Sequence, residues 1–310
     1  MRGAIIVVLL GLSVVFISCK KDNATVTTPA GAMVDYHQTA VTQFVNVGET
    51  KLAYRVLGDK SGIPLVMVSP LGNSMDDWDP AITNGLAQKY KVIIFDIPGV
   101  GASNGTTPDN IPDMAKVVTS FIKALGYNKV NLLGFSMGSF ISQQIALTEP
   151  ALVNKIILTG TGPKGSQGLS DLPKFLASAA GLSPEQVFLA SFFNSSEASQ
   201  SAGKSAYERI QERQADRDAP ISGESFTNEV KAVLGWAQPN TDALTELKSV
   251  TQPVLIVQGQ EDALVPVVNA ISMSKSLPNA ELIVYLDAAH AAFFQYHEDF
   301  VKKALEFLGK

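Results

Sequence analysis

Gly134-Phe135-Ser136-Met137-Gly138 is the stretch that decides the fold. Before it, Lys129-Val130-Asn131-Leu132-Leu133 reads as a buried strand. After it, Ser139-Phe140-Ile141-Ser142-Gln143-Gln144-Ile145-Ala146 reads as a helix. Strand, Gly-x-Ser-x-Gly and helix together make a nucleophile elbow, a turn so sharp that the serine backbone is strained. The residues two before and two after the serine must be small, or their side chains collide. Gly134 and Gly138 meet that demand. The five residues alone are a weak signal, since Gly and Ser cluster in loops. The flanking strand and helix give them weight.

Outward from the elbow, apolar runs rich in Val, Ile and Leu recur at residues 64–69, 91–96, 129–135, 155–160, 253–259 and 280–286. The segments between them are long enough for helices. Residues 43–47 and 51–56 flank a turn-like stretch and predict an antiparallel hairpin. The sum is an α/β fold, with a mostly parallel sheet of about eight strands covered by helices on both faces. Residues 162–247 break the rhythm. They contain no strand pattern but four helical ones, at 172–180, 183–193, 205–217 and 225–236. Ser183-Pro184-Glu185-Gln186 has the layout of a helix start. Residues 42–162 and 248–310 therefore read as the α/β core, and 163–247 as a helical insertion between strands six and seven. The charged run 208–218 reads mainly as a solvated helix face.

The 310 residues are 46% hydrophobic, enough for one large domain with an insertion. A net charge of −5 gives no basic surface for nucleic acid. The N-terminus stands apart. An apolar run from Ala4 to Ile17 follows Arg2 and ends in Ser18-Cys19. It is too short for a bilayer span and has a signal-peptide layout. Cys19 is the single cysteine, so an intramolecular disulfide is impossible. Its setting resembles a bacterial lipobox, with Phe16 where Leu is usual, and implies lipidation at Cys19. Removing residues 1–18 takes away one Arg and no acid, so the charge becomes −6. Residues 19–41 lack periodicity and read as a flexible tether. Together these features predict an exported protein of the bacterial cell envelope, held to a membrane by lipid rather than by a spanning helix.

A serine hydroxyl needs a base to act as a nucleophile at neutral pH. The chain has three histidines. His37 falls in the tether, and His297 reads as a packing residue of the last helix. His290 alone follows a predicted strand end, where α/β active groups gather. The imidazole in turn needs an acid. Asp262, just past the seventh strand, is the candidate. Glu261 beside it and Asp287, three residues before His290, are the competitors, and Asp287 reads as a local turn cap.

The order Ser136, Asp262, His290, with Phe95-Asp96-Ile97-Pro98-Gly99-Val100-Gly101 after strand four, resembles the α/β-hydrolase family over residues 42–310. The resemblance implies a serine hydrolase acting on a small ester or related acyl substrate, without cofactor or metal. It implies an oxyanion hole from the backbone N–H groups of Met137 and Leu71. Here the chain departs from the family, because Ser69-Pro70 stands where His-Gly is common. The insertion resembles the family's cap, with Phe192, Phe193 and Trp236 as pocket liners or cap core. A serine at the elbow argues against the dehalogenases and epoxide hydrolases of this fold, which use Asp. A cofactor-free perhydrolase and an inactive surface binding protein are the alternatives. Asp76-Asp77-Trp78-Asp79-Pro80 reads as a helix start whose acids favour the helix dipole, not as a metal site.

Overall fold

The computed structural model describes residues 34–310. The predicted signal peptide, Cys19 and most of the predicted tether lie outside the described residues. Eight strands form one sheet: β1 (Gln43–Val47), β2 (Thr50–Leu57), β3 (Leu65–Val68), β4 (Val92–Phe95), β5 (Val130–Phe135), β6 (Val153–Thr159), β7 (Val254–Gly259) and β8 (Ala280–Tyr285). Their order is β1-β2-β4-β3-β5-β6-β7-β8. β2 runs antiparallel to both β1 and β4, and the pairs from β4 to β8 are parallel.

The central strands β3, β4, β5 and β7 are buried along their whole length. That is why they read as continuous apolar runs rather than alternating ones. Their side chains divide between two cores. Val66 and Val68 face α3 (Ile111–Ala124), α4 (Met137–Thr148) and α10 (Val267–Ser276) on one side. Leu65 and Met67 face α2 (Pro80–Ala87), α11 (Ala292–Gln295) and α12 (His297–Gly309) on the other. β3 lies between β4 and β5, so the chain leaves it to one side and returns to the other. Such a switch point opens a crevice at the carboxyl ends of the strands, and ligands bind there in open α/β sheets.

Between β6 and β7 the chain forms α5 (Leu172–Ser178), α6 (Pro184–Phe192), α7 (Glu197–Gln211), α8 (Gly223–Trp236) and α9 (Ala243–Glu246). Ser183 caps α6 through a capping box with Gln186, with Pro184 in the first turn.

Two local readings are corrected. The stretch read as tether ends in a short helix, α1 (Tyr36–Thr39), docked on the body of the protein. His37 is wholly buried there. Its N–H donates to Asn84 Oδ1 at 2.8 Å, and its Nδ1 lies 2.9 Å from Thr83 Oγ1. The run 208–218 is not simply a solvated face. Helix α7 stops at Gln211, and Arg213 is 2% exposed, with its guanidinium on the carbonyls of His37, Gln38 and Ala40.

Candidate active site

Ser136 sits between β5 and α4 with φ 51° and ψ −118°, a conformation an L-residue adopts at a cost. The turn is held by Ser136 N–H donating to Thr159 O at 2.9 Å, and by Ser139 Oγ donating to Ser136 O at 2.6 Å. A Cβ on Gly134 would overlap the Gly138 carbonyl, and one on Gly138 would overlap the Val68 carbonyl. The two glycines thus let the elbow close against β3.

His290 and Asp262 meet at the ends of neighbouring strands. Asp262 Oδ2 lies 2.7 Å from His290 Nδ1 and accepts from Gln258 Nε2 at 2.6 Å. Its Oδ1 accepts the N–H groups of Leu264 and Val265 at 3.0 and 2.8 Å. A carboxylate supplied with donors on both oxygens assigns the proton to His290 Nδ1 and leaves the Nε2 lone pair free. Both side chains are buried. The loops can approach because Gly259 has no Cβ to strike the Ala288 and Ala289 carbonyls. Glu261 and Asp287 are engaged elsewhere, since both accept from Asn194 Nδ2, at 3.0 and 2.9 Å. His297 Nδ1 lies 3.3 Å from Phe294 O, at the start of α12.

The imidazole of His290 is 5.2 Å, centroid to centroid, from the ring of Phe135, the residue before Ser136. Gly160, at φ 56°, adjoins its Cε1, where any Cβ would crowd it. No Ser136–His290 hydrogen bond is formed among the described residues. Such bonds are often long or misaligned without substrate and tighten in its complex.

Gln258 carries no sequence motif, yet it ties the site together. Its Oε1 accepts Thr161 N–H at 2.9 Å while its Nε2 holds Asp262. Thr161 Oγ1 in turn lies 2.8 Å from Ser139 Oγ. The available signal was one amide at the carboxyl end of an otherwise apolar strand.

The loop after β3 is fixed by the residues around it. Trp78 Nε1 donates to Ser69 Oγ at 3.1 Å, and Asp96 accepts Met75 N–H at 2.7 Å. Met137 is the first residue of α4, so its N–H has no intrahelical acceptor. Among the described residues neither Met137 N–H nor Leu71 N–H has a protein acceptor. The next N–H, of Gly72, donates to Glu229 Oε2 of α8 at 2.6 Å. Glu229 was missed by the sequence reading. Together with Ser69, Pro70, Asp96 and Met137 it lines a cavity of about 10 Å³.

Of the aromatic candidates, Phe192 lies 6.2 Å from the His290 ring. Trp236 stacks on Phe140 of α4, and Phe193 packs against Phe188. Arg55 pairs with buried Asp76, so that acid belongs to an ion pair. Asp77 closes a capping box with Ser74, and Asp79 caps α2. Among the described residues no helix is long and apolar enough to cross a membrane.

A family model described as alpha/beta hydrolase fold matches residues 63–295. An alpha/beta hydrolase fold protein from Chitinophaga pinensis superposes with a TM-score of 0.85 at 41% identity, covering 88% of this chain and 98% of that one. A 2-hydroxy-6-oxononadienedioate/2-hydroxy-6-oxononatrienedioate hydrolase of Paraburkholderia phymatum is 27% identical over 89% of this chain and 99% of its own length. A poly(3-hydroxyalkanoate) depolymerase of Ectopseudomonas oleovorans is 27% identical over 73% of this chain and 77% of its own.

Proposed function

Because the chain belongs to the alpha/beta hydrolase fold family, we propose that it is a serine hydrolase that cleaves a small carboxylic ester or related acyl substrate. The observation that carries this reading is the strained Ser136, next to the switch point of the sheet, with a buried Asp262–His290 pair whose imidazole lies by Phe135. His290 Nε2 takes the hydroxyl proton as Ser136 Oγ attacks the carbonyl carbon. The oxyanion is held by the N–H groups of Met137 and Leu71, and the positive end of α4 adds to the field. Asp262 keeps the imidazole in the right tautomer and stabilises it once charged. His290 then gives the proton to the leaving alcohol, and an acyl-serine remains. Water, deprotonated by the same nitrogen, attacks that ester and frees the acid and Ser136. The insertion between β6 and β7 acts as the roof of the pocket. The polyester named for one relative and the oxo-acid named for another both present carbonyl carbons to such a nucleophile.

The test uses a fluorophosphonate probe and short p-nitrophenyl esters on wild type and Ser136→Ala. Labelling and turnover that both vanish in Ser136→Ala are expected. Turnover that survives the substitution overturns the reading.

The proposal extends to location. Residues 1–18 direct export, and a lipid on Cys19 holds the enzyme at a membrane. Cys19→Ser is expected to abolish lipid labelling and membrane retention. Retention of both refutes this part alone.

A further inference from the structure

We propose that Glu229 sets the specificity of this pocket, donating a hydrogen bond to an ether or carbonyl oxygen that the substrate carries near its scissile carbonyl. The inference rests on the serine-hydrolase reading above and names the substrate feature that site selects.

Helix α8 buries Ser225, Ala232, Val233 and Trp236 on the same side as Glu229. A carboxyl there is out of place unless it is used, and Glu229 is 1% exposed. Its Oε2 is occupied by the Gly72 N–H, one residue beyond Leu71 in the loop assigned to the oxyanion. Its Oε1 is fully buried and has no partner among the described residues. Among the described residues no cation offsets it. Burial pushes the carboxyl up to about 8, opposed only by the Gly72 N–H, so the neutral acid prevails at pH 7. Since Oε2 accepts, the proton belongs on Oε1, which becomes a donor without an acceptor. A residue that merely clamped α8 to the loop would need only Oε2. The same cavity is lined by Met137, which follows the nucleophile, and by Ser69 of the oxyanion loop, so Glu229 shares it with both sides of the proposed oxyanion hole. A site with an unpaired buried donor discriminates against ligands that leave it unpaired.

Among the described residues the other titratable group at this cavity is Asp96, from the end of β4. It is held well above the usual carboxylate range by burial and by Asp218. On α8 itself, Glu224 and Lys231 are exposed.

The probes are p-nitrophenyl methoxyacetate and its all-carbon isostere, p-nitrophenyl butyrate. Their kcat/KM ratio is compared between proteins, so intrinsic reactivity cancels. Glu229→Leu is expected to lower the ratio by about tenfold, the worth of one net hydrogen bond. Glu229→Gln should keep it, with the amide oxygen on Gly72 N–H and the NH2 in the cavity. Between pH 6.5 and 9.5 the wild-type ratio should fall as Glu229 ionises, while the Gln variant stays flat. Ionised Glu229 still binds Gly72, so a purely structural role predicts no such fall. Asp96 is common to both proteins and is thereby controlled.

A ratio unmoved by either variant or by pH overturns the proposal. So does a preference for p-nitrophenyl aminoacetate, which would make Glu229 a carboxylate for a cation. Calorimetry of ethyl methoxyacetate and ethyl butyrate on Ser136→Ala reads the preference without turnover. A Glu229-dependent preference there, with turnover surviving Ser136→Ala, would sink the nucleophile reading and leave this one standing.

Discussion

Asp262 accepts on both oxygens, and that fixes what one atom's change would do. In Asp262→Asn the two backbone donors of Leu264 and Val265 keep the amide oxygen on their side. The NH2 must then face His290 Nδ1 and Gln258 Nε2. It forces Nδ1 to accept, moves the ring proton to Nε2, and sets two donors against each other at Gln258. The expected result is a fall in kcat of about 10⁴-fold with little change in KM for esters. The variant's circular dichroism should match wild type. A loss under tenfold would show that Asp262 does not set the tautomer. At this scale the sequence was readable wherever geometry demands a residue type. Gly134 and Gly138 are needed because any Cβ meets backbone that cannot move. Gln258 and Glu229 were not readable. Each is one polar side chain on an apolar face, and its meaning comes from a partner far away in the chain, Thr161 or Gly72.

Helix α1 carries a buried histidine and the α7–α8 connection a half-buried carboxyl, and the two titrate in one pH window with opposite sign. Burial lowers His37 to about 4, so the folded protein keeps it neutral while the unfolded chain protonates below about 6.5. Its contribution is complete above that value and is lost as pH falls toward 4, on the order of 3 kcal/mol. Asp218 acts the other way. Burial, and then Asp76, raise it to about 6, so its ionisation destabilises the fold progressively as pH rises from about 4 to 6. The two partly cancel in wild type, and variants separate them. Asp218→Asn should be more stable than wild type at pH 7.5 and equal to it at pH 4, read by urea denaturation. Equal midpoints at both values would mean Asp218 is ionised without penalty. His37→Asn should lose stability at pH 7.5 and show a weaker acid-induced loss than wild type. A steeper acid loss would place the sensitivity elsewhere. The sequence concealed both groups because a composition-based reading treats Lys- and Thr-rich or densely charged stretches as solvated. The burial of His37 comes from α2 and from Arg213 after α7, and Asp218 is set against Asp76, all more than forty residues apart in the chain.

The eight strands and the helical break were readable, because buried strands and helices leave different periods in the sequence. The strand order was not, since any permutation of eight apolar runs has the same pattern. Yet the order creates the site: β3 between β4 and β5 sets the Ser69–Ser74 loop and Ser136 on the two sides of one crevice. Beside that loop, under α8, the structure leaves little room. The cavity of about 10 Å³ has room for roughly one water, whereas small-molecule pockets run to several hundred Å³. A substrate group larger than that can reach this corner beside the Ser69–Ser74 loop only if the insertion moves. Ser225 Oγ donates to Gly99 O at 2.7 Å, and Arg209 grips Asp79 through Nε and Nη2 at 2.8 and 2.7 Å. Asp79 also caps α2, so removing only the arginine would strand a buried charge. The double variant Asp79→Asn/Arg209→Met keeps the cap and releases the grip. Labelling of Ser136 by a bulky fluorophosphonate should then accelerate several-fold, and by a small one much less. A bulky probe needs the insertion displaced further, so its rate depends more on how often the roof opens. Equal acceleration of both probes would mean that the variant changed the chemistry at Ser136. No acceleration of either would mean that substrate enters by a route the Arg209–Asp79 pair does not guard.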